Sequence, residues 1–191
     1  MRHRILLILG VFLASCVIGP ALDQIHVVSG ALWYAHPWLF GQAWWVFPQF
    51  GLAFAFICAV SLAVQHAYGT RTPTPTPAPR IAQQAAWFVA AYLTTGLLWE
   101  HPWTTTVLLA AGLAIRLVSV RPDAAAVRTI ALLALAGTAY EAAVSSIPGT
   151  FSYALHGASL PVPVWLPLLY AHGAPLLRTF ATNATAAFER A

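Results

Sequence analysis

Five histidine and carboxylate side chains lie where long apolar segments end, and these residue types bind metals or exchange protons. Asp23 and His26 follow the first apolar segment, Glu100 and His101 follow the third, and Glu141 lies near the end of the fifth. Brought together, they would have the donor types of a zinc site or of an acid/base pair. No H-E-x-x-H or G-x-S-x-G motif accompanies them. Two interpretations stay open, a metal-dependent hydrolytic site and polar residues gathered at a water interface.

A second set of residues is neutral and partly aromatic. In the third apolar segment, four side chains recur at steps of four, four and three, which places them on one helical face; they are Gln84, Phe88, Tyr92 and Thr95. Gln49 and Thr105, from neighbouring segments, are candidates to face them. Such a face suits a ligand that is mostly hydrocarbon with one small polar head, since charged groups are costly to bury. The alternative is that these groups join helices by hydrogen bonds.

His172 is an ionisable residue inside the last apolar segment, beside the Gly173-Ala174-Pro175 break. An ionisable group inside a membrane is a functional hypothesis by default. The alternative is a neutral imidazole bonded to a carbonyl that the proline kink has freed. Both interpretations stay open.

Composition excludes a soluble domain. Hydrophobic residues make up 60% of the chain and charged residues 7%, against about 25% charged residues in soluble domains. The polar residues are too few to cover a soluble surface. The net charge is +4, but the cations are scattered between apolar segments, which argues against a nucleic-acid partner.

The elements that must position these residues are predicted membrane helices. About 20 mostly apolar residues cross a hydrocarbon core roughly 30 Å thick. The predicted spans are Ile5 to Leu22, Ala43 to Val64, Ile81 to Leu98, Trp103 to Val120, Ala124 to Val144 and Val162 to Leu177. The predicted fold class is all-α, a polytopic membrane protein with a single domain built as a six-transmembrane-helix bundle. Arg116, near the end of the fourth span, is expected to snorkel to the interface.

The arginines predict the orientation of these spans, because short loops rich in basic residues stay cytoplasmic. Arginines occur before span one, between spans two and three, around the turn between spans four and five, and after span six, at Arg2, Arg4, Arg71, Arg80, Arg116, Arg121, Arg128, Arg178 and Arg190. Both termini are therefore predicted to be cytoplasmic, as is an extended Pro-rich loop at 68–80. The absence of lysine indicates a GC-rich genome and a bacterial cell membrane, or the endoplasmic reticulum for a eukaryotic source.

Several short segments resemble those of the Insig family, the insulin-induced gene proteins of the endoplasmic reticulum that bind oxysterols. Ala43-Trp44-Trp45-Val46 with Pro48 and Gly51 resembles the family's AWWVPP segment. Trp165-Leu166-Pro167 with Tyr170 and Gly173 resembles its W-L-P motif, and further matches are Leu9-Gly10-Val11 and Phe88-Val89. The matches extend over nearly the whole chain.

The resemblance implies a small, six-span, non-enzymatic protein that binds a sterol between spans and retains partner membrane proteins. The family's pocket phenylalanine falls on Phe88, and its pocket glutamine falls on Thr105. Its aspartate after the fourth span has its nearest counterpart in Asp123, one residue out of register, which is alternatively the N-cap of the fifth helix. The predicted lipid-binding residues are Trp45, Gln49, Phe88, Tyr92, Thr95, Thr105 and His172, and Asp123 is predicted to face a partner.

The leading hypothesis is a membrane-embedded protein that holds a neutral lipid, sterol-like or diacylglycerol-like, in a pocket among its helices. It would act as a lipid sensor or a scaffold for other membrane proteins, with homo-oligomers possible. No catalytic residue, metal or cofactor beyond the lipid is assigned. The alternative is an intramembrane metal-dependent lipid hydrolase at the external edge.

Overall fold

The computed structural model describes residues 2–67, 75–154 and 160–190. In these ranges the chain forms six helices and two short strands, one helix at the place of each predicted span. The helices are α1 (Arg2–Ser29), α2 (Val46–Ala67), α3 (Ala78–Leu97), α4 (Pro102–Val120), α5 (Ala124–Ser145) and α6 (Leu166–Arg190). The strands are β1 (Leu32–Tyr34) and β2 (Phe151–Tyr153).

Two helices continue past the predicted span ends. α1 includes Pro20 and runs on to Ser29, so Asp23 and His26 lie inside the helix and not after it. α6 includes Pro175 and runs on to Arg190. Polar residues predicted the ends of these segments, but the polar side chains of Asp23 and His26 find partners inside the protein, and α1 continues through them.

The strand pair closes one end of the bundle. β1 and β2 are antiparallel, with Leu32 opposite Tyr153 and Tyr34 opposite Phe151. These four side chains are buried, whereas the alternate positions are exposed, as the period of two along a strand requires. These strands were not predicted from the residue pattern. We call this end, where α1, α3 and α5 finish, the strand end, and the other end the terminus end.

α6 lies at the centre of the bundle, because it contacts each of the other five helices. In the described part of the chain, three helices are long and apolar enough to cross a membrane, namely α1, α4 and α5. α6 is not among them. A helix surrounded by protein does not face lipid, so α6 can carry polar residues such as His172 and Thr179 at buried positions.

The predicted Pro-rich loop is described only in part, since residues 68–74 lie outside the described residues. The prediction of an extended segment is wrong for residues 78–80, which form the first turn of α3, where a proline is tolerated. Before that turn, Thr76 is held against α6 at the terminus end. The Asn183 side chain accepts a hydrogen bond from the Thr76 backbone N–H at 2.8 Å and donates one to the Thr76 carbonyl at 3.4 Å. This pair of bonds fixes the approach of the chain to α3.

Candidate functional site

Asp23 is a buried carboxylate of α1 whose partners come from the loop after the helix. It is 7% exposed. Its Oδ2 accepts a hydrogen bond from the Tyr34 hydroxyl at 2.6 Å and from Gln42 Nε2 at 3.3 Å. Gln42 also donates to the Pro20 carbonyl at 2.8 Å. The loop therefore folds over the end of α1 and satisfies the buried carboxylate.

Glu141 of α5 is satisfied in the same way by two tyrosines. It accepts hydrogen bonds from the hydroxyls of Tyr153 on β2 and Tyr170 on α6. Burial, together with the neighbouring carboxylates, raises the pKa of the Tyr34 and Tyr153 hydroxyls. Both tyrosines therefore keep their protons and remain hydrogen-bond donors.

His26 links α1 to α3. Its Nε2 lies 2.7 Å from Thr95 Oγ1, and that hydroxyl lies 2.9 Å from the Tyr92 carbonyl. The imidazole and the Thr95 hydroxyl therefore share a buried hydrogen bond that ties α1 to α3. The imidazole also packs against the rings of Tyr92 and Trp165, with centroids 5.1 and 5.4 Å away.

Neither sequence interpretation describes the whole His and carboxylate set. Asp23 and His26, at 7% and 1% exposure, do not sit in water. Glu100 and His101 are exposed. Within the described ranges, no group of three or more His, Cys, Asp or Glu side chains is placed to hold a metal ion. Asp23, His26 and Glu141 thus lie inside the bundle, where tyrosine and amide donors satisfy the two carboxylates, whereas Glu100 and His101 do not join them.

We call these satisfied groups the carboxylate–tyrosine network; its members are Asp23, His26, Tyr34, Gln42, Thr95, Glu141, Tyr153 and Tyr170. The sequence analysis did not assign Tyr34, Gln42 or Tyr153 to any site. Their only sequence signal is indirect, since a carboxylate in an apolar segment requires donors from elsewhere.

Part of the predicted lipid-binding face comes together at the centre of the bundle. Phe88 packs edge-on against Tyr92, with ring centroids 5.1 Å apart. A Cβ placed on Gly173 of α6 would lie 2.7 Å from Phe88 Cε2, so the ring lies directly on the backbone of α6. Phe88, Tyr92 and Thr95 thus face α6 and α1 together, as their helical spacing predicted.

Other predicted residues lie elsewhere or have their hydrogen bonds occupied. The Thr105 hydroxyl donates to the Leu98 carbonyl at 2.7 Å, so it joins the α3–α4 turn to α4. Trp45 packs at the strand end against Tyr34, with centroids 5.6 Å apart. Gln49 is half-buried on α2. Lipid contact by these residues stays a prediction.

Arg116 and His172 form a second buried polar cluster. Arg116 is 6% exposed, and its Nη1 donates to the His172 carbonyl at 2.8 Å. The expectation that Arg116 snorkels was wrong, because the side chain turns inward to α6. His172 Nε2 lies 3.0 Å from the Leu109 carbonyl of α4, and the imidazole stacks on Trp87. The carbonyl that His172 meets thus belongs to a neighbouring helix and not to the kink.

Asp123 is exposed just before α5. Its Oδ1 accepts a hydrogen bond from the Ala126 backbone N–H at 2.6 Å, which confirms the N-cap interpretation. The same oxygen lies 3.4 Å from Arg178 Nη1. Its predicted contact with a partner stays a prediction.

The apolar helices around a polar central helix define a helical integral membrane protein. Its fold is similar to that of MvINS, a mycobacterial Insig homolog from Mycobacterium vanbaalenii. One structure, a cross-linked trimer, is 26% identical with a TM-score of 0.72 and covers 97% of this chain and 96% of that chain. A second MvINS structure is also 26% identical with a TM-score of 0.72 and covers 94% of each chain.

No protein-family model matches the chain, and no curated protein matches it. The likeness to MvINS covers nearly the whole chain and includes all six helices. The chain is an Insig-like membrane protein, which confirms the resemblance read from its short motifs.

Proposed function

We propose that this Insig-like protein holds a neutral lipid, sterol-like or diacylglycerol-like, among its helices and serves as a lipid sensor or scaffold. The observation that carries the proposal is the likeness to an Insig homolog over 97% of the chain. The position of Phe88 and Tyr92 against α6 supports it, since aromatic rings beside few polar groups suit a hydrocarbon ligand. No enzymatic activity is proposed.

We further propose that all six helices cross the membrane, with both termini in the cytoplasm. Four exposed tryptophans support this arrangement, because aromatic belts mark a membrane interface; they are Trp33, Trp38, Trp44 and Trp103. All four belong to the strand end, whereas the arginines of the described ranges lie toward the terminus end. The strand end would then face outward.

MvINS has been captured as a cross-linked trimer, and we propose a homo-oligomer for this chain as well. Its outer helices support this proposal, because they expose apolar side chains to lipid or to a neighbour, among them Leu132 and Leu135 of α5 at 66% and 69% exposure. Cross-linking in native membranes, followed by electrophoresis, tests the assembly. A monomer at every cross-linker concentration would contradict it.

The test of lipid binding is mass spectrometry of lipids that co-purify in mild detergent. We expect one neutral lipid class to be enriched over the bulk membrane. Phe88→Ala should lower its occupancy about tenfold, because it removes most of an aromatic contact with the lipid. Val89→Ala is the matched control, since Val89 is the next residue and is 39% exposed. No enrichment, or equal loss in both variants, would reject the pocket.

A further inference from the structure

A buried cation without a carboxylate partner lies between α3, α4 and α6. Arg116 is 6% exposed, and among the described residues it forms no ion pair. Nη1 donates to the His172 carbonyl, but Nη2 is buried without a hydrogen-bond partner in the described ranges. A buried charge that is neither paired nor fully hydrogen-bonded is costly, so such an arginine indicates a counter-ion from outside the chain.

His172 presents a free acceptor beside this cation. Its Nε2 carries the proton, because its partner there is the Leu109 carbonyl, which can only accept. Nδ1 of the neutral ring is then an acceptor, and it is buried without a partner among the described residues. The whole residue is 2% exposed. Arg116 Nη1 already donates to the His172 carbonyl. The unpartnered Nη2 of Arg116 therefore lies close to the residue that carries the unpartnered Nδ1.

A third unpartnered atom lies at the same level of the bundle. α3, α4 and α6 meet where the Trp87 ring stacks on His172 and where a Cβ on Gly112 would lie 3.6 Å from both rings. Gln84 is one turn before Trp87, and Arg116 is one turn after Gly112. Because α3 and α4 run in opposite directions, Gln84 and Arg116 both lie one turn closer to the terminus end than the contact between Trp87 and Gly112. Gln84 Oε1 is also buried and unpartnered in the described part of the chain.

The ligand that matches these atoms has one negative charge and at least one hydroxyl. An ionised carboxylate offers only acceptors, which suit Arg116 but not His172 Nδ1 or Gln84 Oε1. A neutral alcohol lacks the charge. A singly protonated phosphate supplies the negative charge for Arg116 Nη2 and a hydroxyl that can donate to His172 Nδ1 or to Gln84 Oε1.

We propose that Arg116, His172 and Gln84 bind a hydrogen phosphate group, carried either by a phosphate-monoester lipid such as phosphatidic acid or by free phosphate. Arg116 is four residues before the last residue of α4, Val120, roughly 6 Å along the helix axis. The site thus lies near lipid headgroup depth at the terminus end. This ligand goes beyond the neutral lipid proposed above, which has no charge to pair with Arg116.

The first experiment compares ligands on the delipidated wild-type protein in mild detergent. Titration calorimetry measures binding of dioctanoyl phosphatidic acid, dioctanoyl phosphatidylmethanol and dioctanoylglycerol, which share their chains. We expect saturable binding of phosphatidic acid, with phosphatidylmethanol about tenfold weaker because its diester lacks the hydroxyl, and dioctanoylglycerol weaker still. Equal affinity for phosphatidic acid and dioctanoylglycerol overturns the proposal, and equal affinity for the two phosphates overturns the hydrogen phosphate assignment.

Inorganic phosphate then distinguishes the two sources. Displacement of phosphatidic acid by millimolar phosphate supports a site for the free ion. Binding of phosphatidic acid that phosphate does not displace supports a lipid headgroup site, in which the chains add affinity.

The second experiment uses charge variants. Arg116→Gln should weaken phosphatidic acid binding at least about tenfold, and Arg116→Lys should retain part of the affinity. Arg128→Gln is the matched control, because Arg128 is exposed, and it should leave binding unchanged. Unchanged affinity in a folded Arg116→Gln protein overturns the proposal. If Arg116→Gln does not fold, the comparison of ligands on the wild-type protein still tests the phosphate site. The loss of neutral lipid in Phe88→Ala is a separate measurement, so the neutral-lipid proposal and the phosphate proposal can fail independently.

Discussion

Asp23 and Arg116 are both buried charged side chains, but their surroundings differ. Asp23 accepts hydrogen bonds from Tyr34 and Gln42 and belongs to a network whose members supply one another's partners. Arg116 has one partner, the His172 carbonyl, and an unpartnered Nη2 among the described residues. A buried charged group whose hydrogen bonds are made within the protein stabilises the fold, whereas a buried charged group with an unpartnered atom is a candidate binding site.

Removing a carboxylate from the carboxylate–tyrosine network should have the largest effect on the stability of the fold. Asp23→Ala leaves the Tyr34 hydroxyl buried without its acceptor and removes one of the two acceptors of Gln42 Nε2, which still donates to the Pro20 carbonyl. We expect a loss on the order of 3 kcal/mol in the free energy of unfolding, measured by thermal unfolding in detergent micelles. Glu100→Ala is the control, since Glu100 is exposed, and its effect should stay within about 0.5 kcal/mol. Similar effects of the two variants would show that the network does not stabilise the fold.

Removing a single donor should cost less. Tyr170→Phe takes one of the two hydroxyl donors from Glu141, with an expected loss of about 1 to 2 kcal/mol. Tyr140→Phe on the same helix as Glu141 is the matched change, because Tyr140 is 47% exposed and should tolerate the loss of its hydroxyl. Thermal unfolding in detergent micelles compares the two variants. A larger loss of stability in Tyr140→Phe than in Tyr170→Phe would contradict the hydrogen bond from Tyr170 to Glu141.

The exposed carboxylate of Asp123 should affect the stability of the fold only through its hydrogen bond to the first turn of α5. Asp123→Ala removes the N-cap of α5 and should cost about 1 kcal/mol, whereas Asp123→Asn keeps a capping oxygen and should cost little. Because Asp123→Asn also removes the charge, it separates capping from the predicted partner contact. Loss of a co-purifying membrane protein in Asp123→Asn, at unchanged stability, would assign that contact to the carboxylate.

Removing Arg116 should have the smallest effect on the ligand-free protein. Arg116→Met loses the bond to the His172 carbonyl but also removes an unpaired buried charge, and these effects offset each other. We expect the unfolding free energy of delipidated protein to change by less than about 1 kcal/mol. A loss comparable with that of Asp23→Ala would mean that Arg116 is satisfied within the fold, and would remove the contrast between the two clusters.

The central helix shows where sequence reasoning succeeds and where it stops. The sixth segment was predicted to be helical, yet nothing in its composition indicated that it contacts all the other helices. The partners of buried polar residues are distant in the chain. Arg116 of α4 and His172 of the central helix are separated by 56 positions, and His26 of α1 and Thr95 of α3 are separated by 69. Apolar length is a local property that can be read directly, whereas the partner of a buried polar group depends on how helices pack.

By itself, the sequence determined the properties that neighbouring residues control. These are the positions of the six helices, the shared face of Phe88, Tyr92 and Thr95, the cap at Asp123 and the Insig-like motifs. The tertiary structure alone decided which polar groups are buried and how they are satisfied. It placed Asp23 among hydroxyl donors and turned Arg116 inward to α6, because the cost of burying a charge depends on the groups that packing brings beside it.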